Sequence, residues 1–223
     1  MRLIALTFHG LGDPPAHVSA EEKAHWFAFD RFDALVDRIW TQHDPARYAF
    51  TFDDGNASDL AAARLLAARG AAARFFVLVG RIGQPGYLGR DDLLTLRSAG
   101  MVIGLHGRAH LDWSQLDQPA FTDETITARR ELSAMLGEPV DEVAIPFGTY
   151  NSRVMRALKA QGFAHIHTSD RGFLRSTNAR IWNRNTLRAD MSDAALEAIL
   201  RGSASPAQRA RRMVSNVMRR HVK

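Results

Sequence analysis

The stretch RYAFTFDDG, residues 47–55, runs from a strand-like apolar pattern directly into two adjacent carboxylates and a glycine. Adjacent side chains of a strand point to opposite faces, so Asp53 and Asp54 can serve one site only where the backbone turns. Gly55 permits such a turn. Neighbouring carboxylates repel each other and raise a pKa unless a cation or hydrogen bonds compensate. The stretch therefore predicts a strand that ends at a charged functional site.

Strand-like and helical patterns alternate roughly seven times along the chain, which favours a parallel α/β architecture. The alternation allows a closed or nearly closed barrel and also an open doubly wound sheet. In both, chemistry lies at the carboxyl ends of the strands. The other strand-like segments are Arg2–Phe8, Ala73–Val79, Met101–His106, Glu142–Pro146, Phe163–Thr168 and Ala179–Leu187. The helical patterns are Asp30–Trp40, Asp59–Arg69, Asp91–Ala99, Asp123–Leu136 and a segment from Asn151 or Ser152 to before Gly162.

Composition limits the chemistry and the partners. A chain of 223 residues with 46% hydrophobic content can bury one substantial core, and we assign residues 1–200 to a single catalytic domain. The absence of cysteine excludes disulfides and thiolate chemistry, so a metal must bind nitrogen and oxygen ligands. Residues 201–223 carry seven of the basic side chains and no acid, and without them the net charge of +5 becomes −2. The main domain therefore has no charge signature of nucleic-acid binding.

The two ends of the chain suggest where the protein acts. Residues 1–9 form an apolar run too short for a signal peptide or a membrane span, so we expect a cytoplasmic protein unless a leader was trimmed. The basic tail, residues 201–223, places apolar side chains at helical spacing between arginines. We predict a final helix packed on the domain, and the alternative is a basic amphipathic helix that touches an anionic membrane or a partner.

Two histidines four residues apart, His106 and His110, suit one divalent metal. Together with one carboxylate they make a three-ligand site that leaves room for water or substrate. A second carboxylate nearby can then act as general base. The adjacent acids Asp53 and Asp54 offer this division of roles. Non-haem iron oxygenases use the same ligand set, but nothing else in the chain supports redox chemistry.

Three motifs, residues 51–55 (TFDDG), His106-x-x-x-His110 and residues 145–148 (IPFG), resemble in order the motifs of the polysaccharide deacetylases, the NodB-homology group of carbohydrate esterase family 4. With their flanking strands they cover most of residues 1–187. The resemblance implies a distorted (β/α) barrel of about seven parallel strands and metal-dependent removal of an acetyl group from a sugar, N-deacetylation foremost.

The resemblance also implies roles for individual residues. Asp53 would be the general base for a water activated by the metal, and Asp54, His106 and His110 would hold that metal. The backbone N–H of Phe147 would stabilise the oxyanion. Zinc suits the ligand set best, and cobalt, nickel or manganese can also be accommodated.

The chain departs from the family pattern at two positions, so other residues must orient Asp53 and supply the general acid. Many members have an arginine two residues before the motif's proline, where this chain has Ala144. The Ile-Pro-Phe-Gly version of the motif resembles a subgroup with an aromatic-Pro-x-Gly motif. Arg180 and Arg184 are the candidates that would orient Asp53 in place of that arginine. The family's Leu-x-His motif, which supplies a general acid, is missing after Leu187. His9 and His167 are the candidate substitutes, and we assign the role to His9.

The expected substrate is an acetylated sugar or glycan intermediate, nucleotide- or lipid-linked forms included. Trp113, close to His110, is a candidate sugar platform. Two other hypotheses remain open: hydrolysis of a non-sugar C–N amide bond, and a catalytically silent carbohydrate-binding module. Retention of Asp53 argues against the silent module, since a binder needs no general base.

Overall fold

The structure, a computed structural model, describes residues 2–15 and 18–202 and forms a closed barrel of parallel strands. Each strand pairs with the next along the chain, and the last pairs with the first, where Ala5 lies opposite Arg184. The barrel confirms the predicted fold class and decides between the two architectures that the alternation allowed. The seven strands are β1 Ile4–Phe8, β2 Tyr48–Asp54, β3 Ala73–Val77, β4 Val102–Leu105, β5 Glu142–Ala144, β6 His165–Thr168 and β7 Ile181–Thr186.

The helices surround the barrel. They are α1 Ala20–Lys23, α2 Phe29–Gln42, α3 Asp59–Ala67, α4 Arg90–Ser98, α5 Gln118–Thr122, α6 Ala128–Leu136, α7 Ser152–Ala160 and α8 Asp193–Leu200. Helix α5 continues into α6 through a π-helical segment, Asp123–Thr127, so this helical region begins earlier than its predicted start at Asp123. The earlier start follows from Asp117, whose side chain accepts a hydrogen bond from the N–H of Ala120 at 2.9 Å and caps the helix.

Two further observations concern the ends of the chain and the membrane. The predicted tail helix lies in residues 203–223, outside the described residues. No helix in the described part of the chain is long and apolar enough to cross a membrane.

The main apolar core lies between the barrel and its helices. Along β2, Phe50 and Phe52 point outward into this core, and the ring of Phe52 stacks on that of Phe75 with centroids 4.8 Å apart. Because strand side chains alternate, the residues between them point into the barrel. There the hydroxyl of Thr51 lies 3.0 Å from that of Thr7. The barrel interior therefore contains polar groups, beside which charged groups can line its axis.

Charged side chains also fill the amino end of the barrel interior. Nε of Arg74 donates to Oε2 of Glu142 at 2.8 Å, and Nε2 of His167 lies 2.8 Å from the same oxygen. The guanidinium of Arg74 stacks over the ring of Trp182 at 4.4 Å. Trp182 in turn packs in a small apolar cluster with Leu174 and two alanines. This network closes the end of the barrel opposite the candidate site.

Candidate active site

Three candidate metal ligands meet at the carboxyl ends of β2 and β4. Asp54 is the last residue of β2, His106 directly follows β4, and His110 lies in the loop beyond it. One ligand atom from each lies within 4.8 Å of the others. The parallel barrel causes this convergence, because it brings the carboxyl ends of all its strands to one face.

The orientation of the imidazoles shows that the three residues fit a cation. Nδ1 of His106 lies 2.9 Å from the carbonyl oxygen of Ala144. A carbonyl only accepts, so Nδ1 carries the hydrogen, and in the neutral tautomer of the ring Nε2 presents a lone pair. That lone pair lies 3.5 Å from Oδ1 of Asp54, and Nε2 of His110 lies 3.6 Å from the same oxygen. Oδ1 of Asp54 is buried and has no hydrogen-bond partner among the described residues.

These spacings match those of a metal site. Two donors each about 2.1 Å from a tetrahedral zinc ion lie about 3.4 Å apart. Acceptor atoms that face one another at such distances need a cation between them. Burial lowers the pKa of His110 to about 4, so its ring is neutral at pH 7, as a metal ligand requires. The donor set therefore fits a divalent metal.

The backbone at this face of the barrel is strained. Among the described residues, the non-glycine residues with positive φ are Asp54, His110, Phe147 and Arg171, and all four follow strand ends or end a strand. Such conformations cost of order 1 kcal/mol or more each and concentrate at functional sites. Gly55, with φ 70°, provides the predicted turn after the two acids. The turn directs Asp54 towards the histidines.

Asp53 points into the barrel and pairs with Arg184. Nη1 and Nη2 of Arg184 donate to Oδ1 and Oδ2 of Asp53 at 2.6 and 2.8 Å, a bidentate ion pair. Burial alone would raise the pKa of Asp53, but the charge of Arg184 outweighs it and holds that pKa well below its usual range. Asp53 is thus an ionised carboxylate next to the candidate metal ligands.

Of the two arginines considered as partners of Asp53, Arg184 makes the contact and Arg180 does not. Arg180 lies just before β7 and donates to the carbonyl oxygens of Phe163 and Lys159 on the outside of the barrel. Many family members have arginine at the position of Ala144. In this chain the carbonyl oxygen of Ala144 instead accepts a hydrogen bond from Nδ1 of His106.

His9 follows β1 at the site face and lies beside His25, with ring centroids 4.9 Å apart. Sequence reasoning did not assign His25 to the site, because His25 lies in an irregular segment. A hydrogen bond from the N–H of Phe27 to the carbonyl of Gly10 brings this segment back to the end of β1. Burial, then the nearby His9 and Arg188, lower the pKa of His25. Nδ1 of His9 is buried without a hydrogen-bond partner among the described residues.

His167, the second candidate general acid, is fully buried within the barrel and bonds to Glu142. Burial lowers its pKa to about 4 despite that bond, so a neutral imidazole donates from Nε2 to the carboxylate. The side chain of His167 has no exposed surface, and its Nε2 bonds to Glu142 at the end of the barrel opposite the candidate site, so this candidate role was wrong.

Trp113 is also wrong as a sugar platform, because its side chain is fully buried. Its indole N–H lies 3.2 Å from Oε2 of Glu124. The exposed large apolar side chains of the described part are Phe147, at 62%, and Leu111, at 41%. The ring of Phe147 lies 4.2 Å from that of His110, so an apolar surface adjoins the candidate metal ligands.

Asp59, in the first turn of α3, is a third acid that sequence reasoning did not assign to the site. It is fully buried, and neither carboxylate oxygen has a hydrogen-bond partner among the described residues. Burial, then the charges of Asp54 and Asp53, raise its pKa well above the usual value. Its surroundings therefore favour the neutral form of Asp59.

Comparison with solved structures finds the same fold in several deacetylases. A polysaccharide deacetylase from Bacillus cereus superposes with a TM-score of 0.75 at 16% identity, over 90% of this chain and 69% of the other. The Streptococcus pyogenes deacetylase PplD, in complex with acetate, gives 0.73 at 20% identity over 90% and 98%. IcaB from Ammonifex degensii gives 0.72 at 19% identity over 91% and 97%.

The curated proteins contain no match to this chain. The family described as polysaccharide deacetylase matches residues 41–166, more than half of the chain. That segment includes the two acids, both histidines of the candidate metal site and the Pro146–Gly148 turn. The chain belongs to the polysaccharide deacetylase family.

Proposed function

We propose that this protein is a metal-dependent hydrolase that removes an acetyl group from an acetylated sugar, with N-acetyl groups as its main target. Family membership supports carbohydrate deacetylation. The observation that carries the finer proposal is the group of facing acceptors on Asp54, His106 and His110 beside the ionised Asp53. A binding module would need neither this donor set nor a paired base.

Asp54, His106 and His110 would hold the metal, with zinc as the best match and cobalt, nickel or manganese as alternatives. When bound, such an ion lowers the pKa of water and polarises the carbonyl under attack. The bond from His106 to the Ala144 carbonyl supports this role, because it directs the free lone pair of the ring towards Asp54.

Asp53 would take the proton from the attacking water. A carboxylate has about four lone-pair sites, so the two bonds from Arg184 leave acceptor capacity on Asp53. The ion pair also keeps Asp53 ionised and fixes its orientation. Arg184 thus takes the supporting role that many family members give to the arginine before the proline.

Phe147 and His9 would complete the reaction. The positive φ of Phe147, 57°, turns the backbone at the Pro146–Gly148 turn, and its N–H would bind the oxyanion. Breaking a C–N bond requires a proton for the leaving amine. His9 would donate it, supported by its position after β1 and its electrostatic interaction with Asp53.

The test is acetate release by protein stripped with a chelator and reloaded separately with zinc, cobalt, nickel or manganese. The substrates are N-acetylated sugars, O-acetylated sugars and cyclic amides, with ammonia or amine release measured for the last group. We expect acetate from N-acetylated sugars only after metal loading, and none from His106→Ala. Product from cyclic amides alone would favour the non-sugar amide hydrolase, and no product with any metal would favour the silent binding module.

A further inference from the structure

The loop between the two candidate histidine ligands rests on a buried carboxylate, Glu124. Its side chain accepts hydrogen bonds from the backbone N–H groups of Arg108, at 3.0 Å, and Ala109, at 2.9 Å. The indole N–H of Trp113 donates to the same carboxylate at 3.2 Å. Glu124 is only 2% exposed. Three N–H donors on one buried side chain constrain the backbone, because breaking any of these bonds leaves a buried polar group without a partner.

A local irregularity of the helix accompanies this carboxylate. Glu124 lies in the π-helical segment Asp123–Thr127, between α5 and α6. Both Glu124 and its neighbour Thr125 are buried, and the hydroxyl of Thr125 donates to the carbonyl of Phe121. π-Helical turns inside α-helices occur frequently at functional sites. This one turns an acid from a helix towards the loop that carries His106 and His110.

The loop fits closely against Glu124 at Gly107. The φ angle of Gly107 is 95°, which side-chain-bearing residues rarely adopt. A Cβ atom at this position would lie 2.4 Å from Oε2 of Glu124 and 3.2 Å from the ring of Trp113. The backbone at Gly107, one residue from His106 and three from His110, is therefore in close contact with the carboxylate of Glu124.

We propose that Glu124 is a positioning residue for the metal centre. It holds residues 107–109 so that the rings of His106 and His110 both face Asp54 before a metal binds. This inference rests on the proposed metal-binding function, and it adds a residue that touches neither metal nor substrate. Loss of a group that orients metal ligands typically weakens metal affinity about 10–100-fold.

The test variant is Glu124→Gln, which keeps the shape of the side chain. A carboxylate accepts at both oxygens, whereas an amide accepts at one and presents N–H groups at the other. One or both backbone N–H groups of the loop therefore lose their acceptor. The matched control is Glu131→Gln, because Glu131 lies on α6 and bonds the side chain of Arg108 rather than the loop backbone.

The zinc dissociation constant is measured by competition with a chromophoric chelator, together with the melting temperature with and without zinc. We expect Glu124→Gln to bind zinc about 10–100-fold more weakly and to gain less melting temperature from it. Glu131→Gln should stay within about twofold of the unmodified protein, the range for a surface change that leaves the metal site alone. A Glu124→Gln protein with unchanged zinc affinity, whatever its melting temperature, overturns the inference.

A second measurement needs no variant. Hydrogen exchange of the metal-free protein should show the amides of Arg108 and Ala109 protected, because Glu124 already holds them. Exchange of both amides at unprotected rates would contradict the proposed preorganisation. If the unmodified protein binds no zinc, the proposed metal centre itself fails; if it binds zinc and Glu124→Gln binds equally well, only the role of Glu124 fails.

Discussion

Two pairs of acid and arginine lie inside the same barrel and differ in what surrounds them. At the carboxyl end, Arg184 donates two hydrogen bonds to Asp53, and its side chain is 1% exposed. At the amino end, Arg74 donates one bond from Nε to Glu142 and is 22% exposed. Only the first pair adjoins the candidate metal ligands, because Asp53 directly precedes Asp54.

The position of an acid–arginine pair along the barrel axis, rather than its chemistry, therefore determines whether the pair serves the reaction or the stability of the fold. In barrels of this kind the loops at the carboxyl ends carry the chemistry, and the opposite end contributes stability. Glu142 accepts its two bonds, from Arg74 and His167, at the amino end of the barrel, away from the candidate metal ligands. Asp53 keeps free acceptor capacity beside the site.

The largest expected contrast is in activity. Asp53→Asn should lower kcat/KM about 10²–10⁴-fold, because it removes the general base. Glu142→Gln should keep kcat/KM within about tenfold, but lose about 1–3 kcal/mol of unfolding free energy through weakened buried bonds. Acetate-release kinetics and urea unfolding of both variants test this. A Glu142→Gln variant as inactive as Asp53→Asn would erase the distinction between the two ends.

The second contrast is in stability. Arg184→Met leaves the carboxylate of Asp53 buried and unpaired, so the free energy of unfolding should fall by about 3–5 kcal/mol. Arg74→Met should cost less, about 1–3 kcal/mol, because His167 still donates to Glu142. Denaturant unfolding at neutral pH measures both losses. Equal losses would show that the bidentate geometry at the carboxyl end adds nothing.

The third contrast is in pH dependence. The pKa of Asp53 is lowered in the folded protein, so the stability it contributes is present above its unfolded pKa of about 3.9 and is lost as the pH falls further. Arg184→Met removes the cause of the lowered pKa. The acid limb of its residual kcat/KM should therefore move to higher pH than in the unmodified protein. Identical acid limbs would contradict the role of Arg184.

The smallest effect should come from Asp59. The pKa of Asp59 is raised in the folded protein, whereas that of Asp53 is lowered. The fold therefore disfavours ionised Asp59, and stability is lost as the pH rises above the pKa that Asp59 has in the unfolded chain. At pH 7, Asp59→Asn should leave the free energy of unfolding unchanged or raise it by up to about 1 kcal/mol. Unfolding curves at pH 7 decide this, and a loss of more than about 1 kcal/mol would show that the acid has a stabilising partner.

Periodicity was enough to predict the seven strands. The residue pattern predicted that one of the two acids would meet His106 and His110, and the resemblance to the family assigned that place to Asp54. The contacts of individual side chains were harder to predict. Arg180 and Arg184 are four residues apart and would share a face of one regular strand, but β7 begins only at Ile181. Arg180 is therefore outside the barrel, which no periodicity indicates.

Sequence reasoning also failed to predict which polar and aromatic side chains the irregular segments bury. Trp113 follows His110 closely in sequence, but it lies beneath the loop because Glu124 binds its N–H. Glu124 itself looks like an ordinary acid of a surface helix, and only the π-helical segment turns it inward. Such features depend on tertiary contacts between segments distant in sequence.

The most direct test of the account is the metal content of three purified proteins: the unmodified chain, Asp53→Asn and His106→Ala, each loaded with zinc and dialysed. We predict about one zinc per chain in the unmodified protein and in Asp53→Asn, and little in His106→Ala, because a site with only three protein ligands loses affinity when one of them is removed. Asp53→Asn should nonetheless be inactive. Equal zinc loss in Asp53→Asn and His106→Ala would contradict the separation between a base on Asp53 and a metal on Asp54, His106 and His110.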